Sequence, residues 1–383
     1  MKIAGAKCDV CSLAHLCGGQ DSIQPVGSEE HKGDRIAIVG DFPGTHEELE
    51  GRPFVGPLGQ ELQAALEELG ISREECRLTN AIACRPPQNR LDIFMVRHSR
   101  NNKVRHKKEK KPLLSPQNAC ADRFLQDIWG FDKIICLGAE AMRAVRGGNA
   151  SITSMRGACE QRTMPWGEVK VGYTLSPGFV MRSPKWRPVF QNDIGKALRF
   201  FDGELGWSDP EIFFPRTVQG VVDGFRKLAV MGEPVAYDVE TDAKNPLEAR
   251  LRCIGFANTK FSMIIPFLSI DGKTRSWGAF DESIVKPLTA QNLSNPPFPL
   301  LGHNAGQYDR LVCEEFFGVT PDLYADTLLL HLLADNEMPH NLGFVTSYYS
   351  DFIEAWKADH TAVEAKSDNE LHTYCAKDCA VTA

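Results

Sequence analysis

Apolar positions change rhythm along this chain, and the changes divide it. In the first two hundred residues, short apolar runs alternate with amphipathic ones. "RIAIVGD" (35–41) reads as a buried strand, and "GQELQAALEELG" (59–70) sets Leu62, Leu66 and Leu69 at helical spacing. "RLTNAIAC" predicts a second strand, "NACADRFLQDIWG" a helix, "KIICLG" a third strand, "EVKVGYTL" a fourth and "VFQNDIGKALRFF" a closing helix. Strands alternating with helices predict an α/β sandwich. Periodicity then fails in "DGELGWSDPEIFFPRT", which carries Gly and Pro, so we place a first domain over 1–205, a linker over 206–215 and a second domain over 216–383. The second domain opens on an amphipathic helix, "VVDGFRKLAVM". "PVAYDVET", "RLRCIGFAN" and "FSMIIPF" follow as consecutive strands that predict an antiparallel meander. "FPLLGHN" predicts one more strand and "QYDRLVCEEFFG" a helix behind it, which makes this second part a mixed sheet with helices.

Length and composition agree with two globular domains: 383 residues, 24% charged and 43% hydrophobic. No apolar stretch reaches membrane-spanning length, and the N-terminus lacks the apolar core of a signal peptide, so neither a membrane anchor nor secretion is expected. With 12 Cys in a chain expected in a reducing cytoplasm, clustered cysteines read first as metal or cluster ligands. Net charge is −7, but the block Arg97 to Lys111 holds eight Lys or Arg against the single Glu109. Such a block is either a solvated loop or a contact for DNA phosphates through Lys103, Arg105, Lys107, Lys108, Lys110 and Lys111.

Two carboxylates stand out in "YDVETD". Asp238 and Glu240 are two apart on a strand, so both aim at one spot and repel unless a cation sits there. Asp309 begins a helix just beyond a strand, and Tyr374 and Asp378 lie four apart on one helical face. In this order, "YDVET", "HNAGQYD" and "YCAKD" resemble the three motifs of the DEDDy-type 3′→5′ exonucleases of the ribonuclease H-like fold, the proofreading domain of family A DNA polymerases. That resemblance covers about 215 to 383. It implies that Asp238, Glu240, Asp309 and Asp378 hold two Mg²⁺ or Mn²⁺ ions, that Tyr374 orients the attacking water, and that His303 and Asn304 belong to the second motif. The implied substrates are single-stranded or frayed 3′ ends of DNA. The implied partner is a polymerase domain, as at the front end of a phage-type polymerase.

The first domain carries a different pattern. The order of Gly40, Asp41, Pro43, Gly44, Glu47, Phe54, Gly56 and Gly59, with "TNAIACRPPQNR", "CADRFL" and "IICLGAEAM", resembles the family 4 uracil-DNA glycosylases over roughly residues 5 to 200. The spacing of Cys8 and Cys11 suits either zinc or an iron–sulfur centre, and the resemblance implies a 4Fe-4S cluster on Cys8, Cys11, Cys84 and Cys120. Cys17 is spare, and Cys76 and Cys136 read as core residues. By resemblance Phe54 is the stacking face for a base and Asn80 reads its edge. Two positions depart from the family pattern: Asp41 replaces the usual Glu, and Ser176 in "TLSPGFVMR" replaces the His that helps stabilise the departing uracil anion. His106 in "VRHKK" faintly echoes a loop of a branch that bonds uracil covalently, or is one more polar residue of the basic run.

These readings lead to the N-terminal part of a DNA replication polymerase, with a proofreading exonuclease behind a glycosylase-like domain. The alternatives are a stand-alone uracil-repair protein, or a first domain that recognises DNA or a base without cutting.

Overall fold

The computed structural model describes residues 3–16, 24–95, 113–359 and 365–383. The chain divides into two compact units. One runs to Leu205 and includes Ile353–Ala355; the other comprises Gly206–Phe352 and Trp356–Ala383. Among the described residues no helix is long and apolar enough to cross a membrane. The basic run and His106 lie outside the described residues, as does Cys17.

In the first unit five strands order as β2-β1-β3-β5-β4. Strands β1 (Ile36–Gly40), β2 (Cys76–Asn80), β3 (Lys133–Leu137) and β5 (Gly167–Thr174) are parallel, and β4 (Cys159–Met164) runs antiparallel to β5. Every residue of β1 is buried, as its unbroken apolar run requires of a strand covered on both faces. The helices Pro57–Glu68 and Arg187–Asp202 supply Leu62, Leu66, Phe190 and Ile194 to the core beside Ile36 and Ile38.

The second predicted strand stops at Asn80 rather than continuing to Cys84. There the buried Arg123, on the helix Pro116–Asp127, donates to the carbonyls of Asn80 and Ala81 and pairs with Asp127 at 2.6 Å. A side chain thus takes the place of a neighbouring strand. Strand β4 has no counterpart among the predicted elements. As an edge strand it buries only its first residue, Cys159, after which "CEQRTM" alternates between half-buried and exposed positions.

The second unit holds six strands in the order β11-β10-β7-β8-β9-β6. Strands β7 (Val235–Thr241), β8 (Leu251–Ala257) and β9 (Phe261–Pro266) form the predicted antiparallel meander. Strand β10 (Leu300–Gly302) joins β7 in parallel, and the two-residue β11 (Ala325–Asp326) joins β10. The span 206–215, expected as a linker, instead contains β6 (Glu211–Phe213), which pairs in parallel with β9 and extends the sheet. Tyr237, Phe256, Met263 and Leu300 form one core with the helices Val218–Met231 and Ala279–Ser294. A separate buried cluster joins Cys253 and Ile264 of the sheet to Leu371, Cys375 and Cys379 of the helix Asp368–Thr382.

Candidate functional site

In the first unit the carboxyl ends of the parallel strands open on a cavity of about 230 Å³. Ligands of open α/β sheets bind at such ends. Asp41, Phe54, Asn80 and Ser176 all line it, together with Glu47 and Arg182. A Cβ placed on Gly40 would lie 2.5 Å from Asn80 Oδ1 and 2.7 Å from Phe54 Cζ, so the ring and the amide converge over the end of β1.

Phe54 adopts φ +53°, the left-handed region that bulky residues avoid. Its position is braced from outside the cavity. Arg73 donates to the carbonyls of Pro53 and Phe54 at 2.8 and 2.9 Å, and its guanidinium bonds both oxygens of Glu29 at 2.8 and 2.9 Å. Neither residue of this brace stands out in the sequence.

Asp41 is committed elsewhere. Its Oδ1 accepts the amides of Glu140 and Ala141, at 2.7 and 3.0 Å, where the helix Ala139–Arg146 begins. Burial pushes this carboxyl from 3.8 up to about 6. Ser176 is likewise engaged in the fold. Its Oγ accepts the amide of Phe179 at 3.3 Å and caps the helix Pro177–Arg182. Glu47, to which the motif order gives no role, is 4% exposed and accepts the Gly56 amide at 2.8 Å on the cavity wall.

The four expected cluster cysteines are free thiols. Cys8 and Cys11 flank one turn, in which the Cys11 amide donates to the Cys8 carbonyl at 3.2 Å. Lys7 and Ser12 donate to the carbonyls of Ala119 and Leu114, which ties this turn to the approach and first turn of the helix bearing Cys120. Burial raises Cys84, and the neighbouring Cys120, Cys11 and Cys8 raise it further. Four thiols that feel one another without pairing as disulfides fit a thiolate-held cluster by the chemistry of the donor set.

In the second unit, β7 presents Asp238 and Glu240, the helix Tyr308–Phe317 presents Asp309, and the helix Asp368–Thr382 presents Tyr374 and Asp378. All five come together. Burial first, then Asp309, lifts Asp238 far above the carboxylate range, and burial with Cys375 and Asp378 does the same to Glu240. Asp309 is pushed up to about 7 by burial, and Asp378 is also raised by burial. Acids this crowded and dry fit a divalent cation, which would remove the penalty of ionising them together.

Lys357 enters the same cluster. Its Nζ donates to Asp378 Oδ2 at 2.6 Å and to Tyr374 Oη at 2.9 Å, while Trp356 Nε1 donates to Asp378 Oδ1 at 2.7 Å. Burial alone would lower the lysine, but Asp378 and Tyr374 reverse that and raise it. Tyr374 is pushed up to about 12, chiefly by burial. Cys375 also reaches the cluster: its sulfur and one oxygen each of Asp238 and Glu240 lie within 4.8 Å of one another. Asp326 accepts the amides of Asn304 and Ala305, both at 2.9 Å, and Asn304 has φ +59°. His303 Nδ1 lies 2.8 Å from Thr327 Oγ1, and burial draws its pKa down to about 4.

Known proteins agree with this division. Residues 28–202 match the uracil DNA glycosylase superfamily and residues 215–383 the 3′-5′ exonuclease family, so the chain carries a glycosylase-like domain followed by an exonuclease domain of ribonuclease H-like fold. A type-4 uracil-DNA glycosylase of Thermotoga maritima is 34% identical over 204 residues, covering 52% of this chain and 91% of that protein. One from Pyrobaculum aerophilum is 33% identical, covering 44% and 78%. The chain belongs to the type-4 uracil-DNA glycosylase family. DNA polymerase I of Synechocystis is 30% identical over 177 residues, which cover 43% of this chain and 17% of that protein. Escherichia coli RNase D is 18% identical at a TM-score of 0.34, covering 45% of this chain and 42% of the other. The exonuclease domain implies divalent metal ions, and the glycosylase family implies a 4Fe-4S cluster.

Proposed function

We propose that the second unit is a metal-dependent 3′→5′ DNA exonuclease that shortens single-stranded or frayed ends, and that the first unit recognises bases in the same class of substrate. The observation that carries this reading is the meeting of Asp238, Glu240, Asp309 and Asp378 with Tyr374 and Lys357. When bound, divalent cations would be held by the four carboxylates and would supply charge stabilisation to a phosphodiester displacement. The chain's own residues do the positioning. Tyr374 Oη accepts from Lys357 and itself hydrogen-bonds Asp378, so the phenol is held beside the acids, where it can orient a water. Trp356 and Lys357 together fix both oxygens of Asp378.

The partial likeness to DNA polymerase I supports a proofreading role at the front of a DNA replication polymerase. A second reading, uracil repair, is favoured by the cavity in which Phe54 and Asn80 converge and by the type-4 relatives. On this reading Phe54 stacks on an extruded uracil and Asn80 bonds its edge. Asp41 and Ser176, both engaged in capping helices, contribute less to bond cleavage than to shape.

The test uses a 5′-labelled single strand incubated with Mg²⁺. Asp238→Ala should cut digestion by at least ~10²–10³-fold, the size of losing one electrostatic contact to a transition state. Undiminished digestion would mean that the four acids do not form the site.

A further inference from the structure

We propose that a pocket beside the acid cluster, where Lys244 and Arg252 stand, binds a second phosphate of the substrate strand, one that is not attacked. The inference rests on the nuclease reading for the identity of the strand and on its own residues for the site. The pocket measures about 510 Å³ and is walled by Glu240, Thr241, Lys244, Arg252 and Tyr308. That volume falls within the ~300–1,000 Å³ usual for small-molecule sites. Its wall shares Glu240 with the acids, and Tyr308 directly precedes Asp309.

Arg252 reaches this wall through an irregularity in the sheet. Glu240 pairs with Cys253 and Thr241 with Leu251, so Arg252 is left without a counterpart on β7. A bulge of this kind re-aims the side chain of the extra residue, and bulges gather beside active sites. The Arg252 carbonyl accepts the amides of Phe267 and Leu268 at 2.7 and 3.1 Å, which pins the bulge in place. The two arginines that flank Leu251 have different fates. Arg250 is spent on the fold: its amide and its Nε donate to the two oxygens of Asp242, at 2.8 and 2.7 Å. Arg252 has no such partner. Among the described residues no hydrogen bond or ion pair reaches its guanidinium, and its Nε is buried without an acceptor.

Lys244 is exposed and likewise unpaired among the described residues. The segment that carries it is tied down, because Tyr308 Oη donates to the Ala243 carbonyl and meets Thr241 Oγ1. The chain has a net charge of −7 and four acids gather next door, yet neither cation has taken a carboxylate. A guanidinium fork and an ammonium point charge on one wall match a phosphate, which the first binds through paired N–H groups and the second through charge. Two phosphates of a strand have this chemistry: one carried on the 3′ end itself, and the diester next to the scissile one.

The full chain in Mg²⁺ is given a short 5′-labelled single strand in three forms: with a 3′-hydroxyl, with a 3′-phosphate, and with a 3′-hydroxyl and an uncharged methylphosphonate at the linkage next to the scissile one. Release of the first nucleotide is timed for the wild type, Lys244→Met, Arg252→Met and Arg252→Lys. In each Met variant we expect kcat/KM to fall about tenfold or more, through KM, on strands that carry the bound phosphate and to hold on strands that lack it. Arg252→Lys should recover part of the loss. A loss confined to the 3′-phosphate strand assigns the terminal phosphate; a loss on every strand but the methylphosphonate assigns the neighbouring diester. The same strands are titrated by fluorescence anisotropy in EDTA, where nothing is digested. The first unit is identical in all variants, so differences among them report the second. An equal loss on all three strands, which a change in the field at the acids would give, or no loss on any, overturns the proposal. A wild type that digests nothing while anisotropy keeps the phosphate-dependent loss removes the nuclease reading and leaves this site; digestion without that loss removes this site alone. Far-ultraviolet circular dichroism checks the fold of Arg252→Met, and the exposed Lys244 carries the test if that variant unfolds.

Discussion

Asp41→Asn tests how the first unit handles a buried charge. Asp41 is half-buried on the cavity wall, and its carboxyl is pushed from 3.8 up to about 6, chiefly through burial, although two helix amides pull the other way. At ~1.4 kcal/mol per pH unit, that interval amounts to about 3 kcal/mol. The direction follows from proton counting. Between pH 3.8 and 6 the folded chain holds a proton that the unfolded chain has lost, so stability present at low pH disappears as pH rises to 6. An Asn keeps an oxygen for the amides of Glu140 and Ala141 but never ionises. The variant should match the wild type near pH 4 and exceed it by up to about 3 kcal/mol above pH 7. Hydrogen exchange on peptides from β1 and the helix Ala139–Arg146, in the full chain from pH 4.5 to 7.5, reads this difference. A constant gap across that range, or a variant weaker at pH 7.5, would mean that the ionised carboxylate is stabilised by the helix end and that burial does not dominate.

Two other substitutions probe the sites themselves. Lys357→Met removes the donor shared by Tyr374 and Asp378 and should lower kcat for Mg²⁺-dependent digestion by ~10²-fold, with KM for the strand little changed; steady-state kinetics showing the loss in KM alone would assign the lysine to strand binding. Ser176→His restores an imidazole to the cavity and should raise cutting at a uracil by ~10²-fold, while losing a helix cap worth about 1 kcal/mol. That assay uses a uracil-containing oligonucleotide in EDTA followed by alkali, and an unchanged strand would show that the missing His is not what limits excision.

Local spacing made the acid cluster legible. Asp238 and Glu240 share a strand face, and Tyr374 and Asp378 share a helix face, so periodicity alone pairs them. Lys357 was hidden because it lies 17 residues before Tyr374 on a separate four-residue helix, and only tertiary folding brings the two within 2.9 Å. In the first unit, the residues facing the cavity could be read from motif order, whereas the two helix-capping contacts could not. A carboxylate that meets two amides 99 and 100 residues away leaves no local signature. Edge strands failed for a related reason: β4 and β6 bury too little to need an apolar pattern.

The brace on Phe54 separates two properties that a repair enzyme usually keeps together. The ring is held by Arg73 and Glu29, and neither of its supports involves Asp41 or Ser176. On the uracil-repair reading, changes at the two capping positions can therefore erode the chemistry of base removal while the floor proposed for the base stays intact. Along a lineage, selection can then disarm the pocket without unfolding it and keep the result as a sensor. An eraser of damaged letters needs few substitutions to become a reader of them.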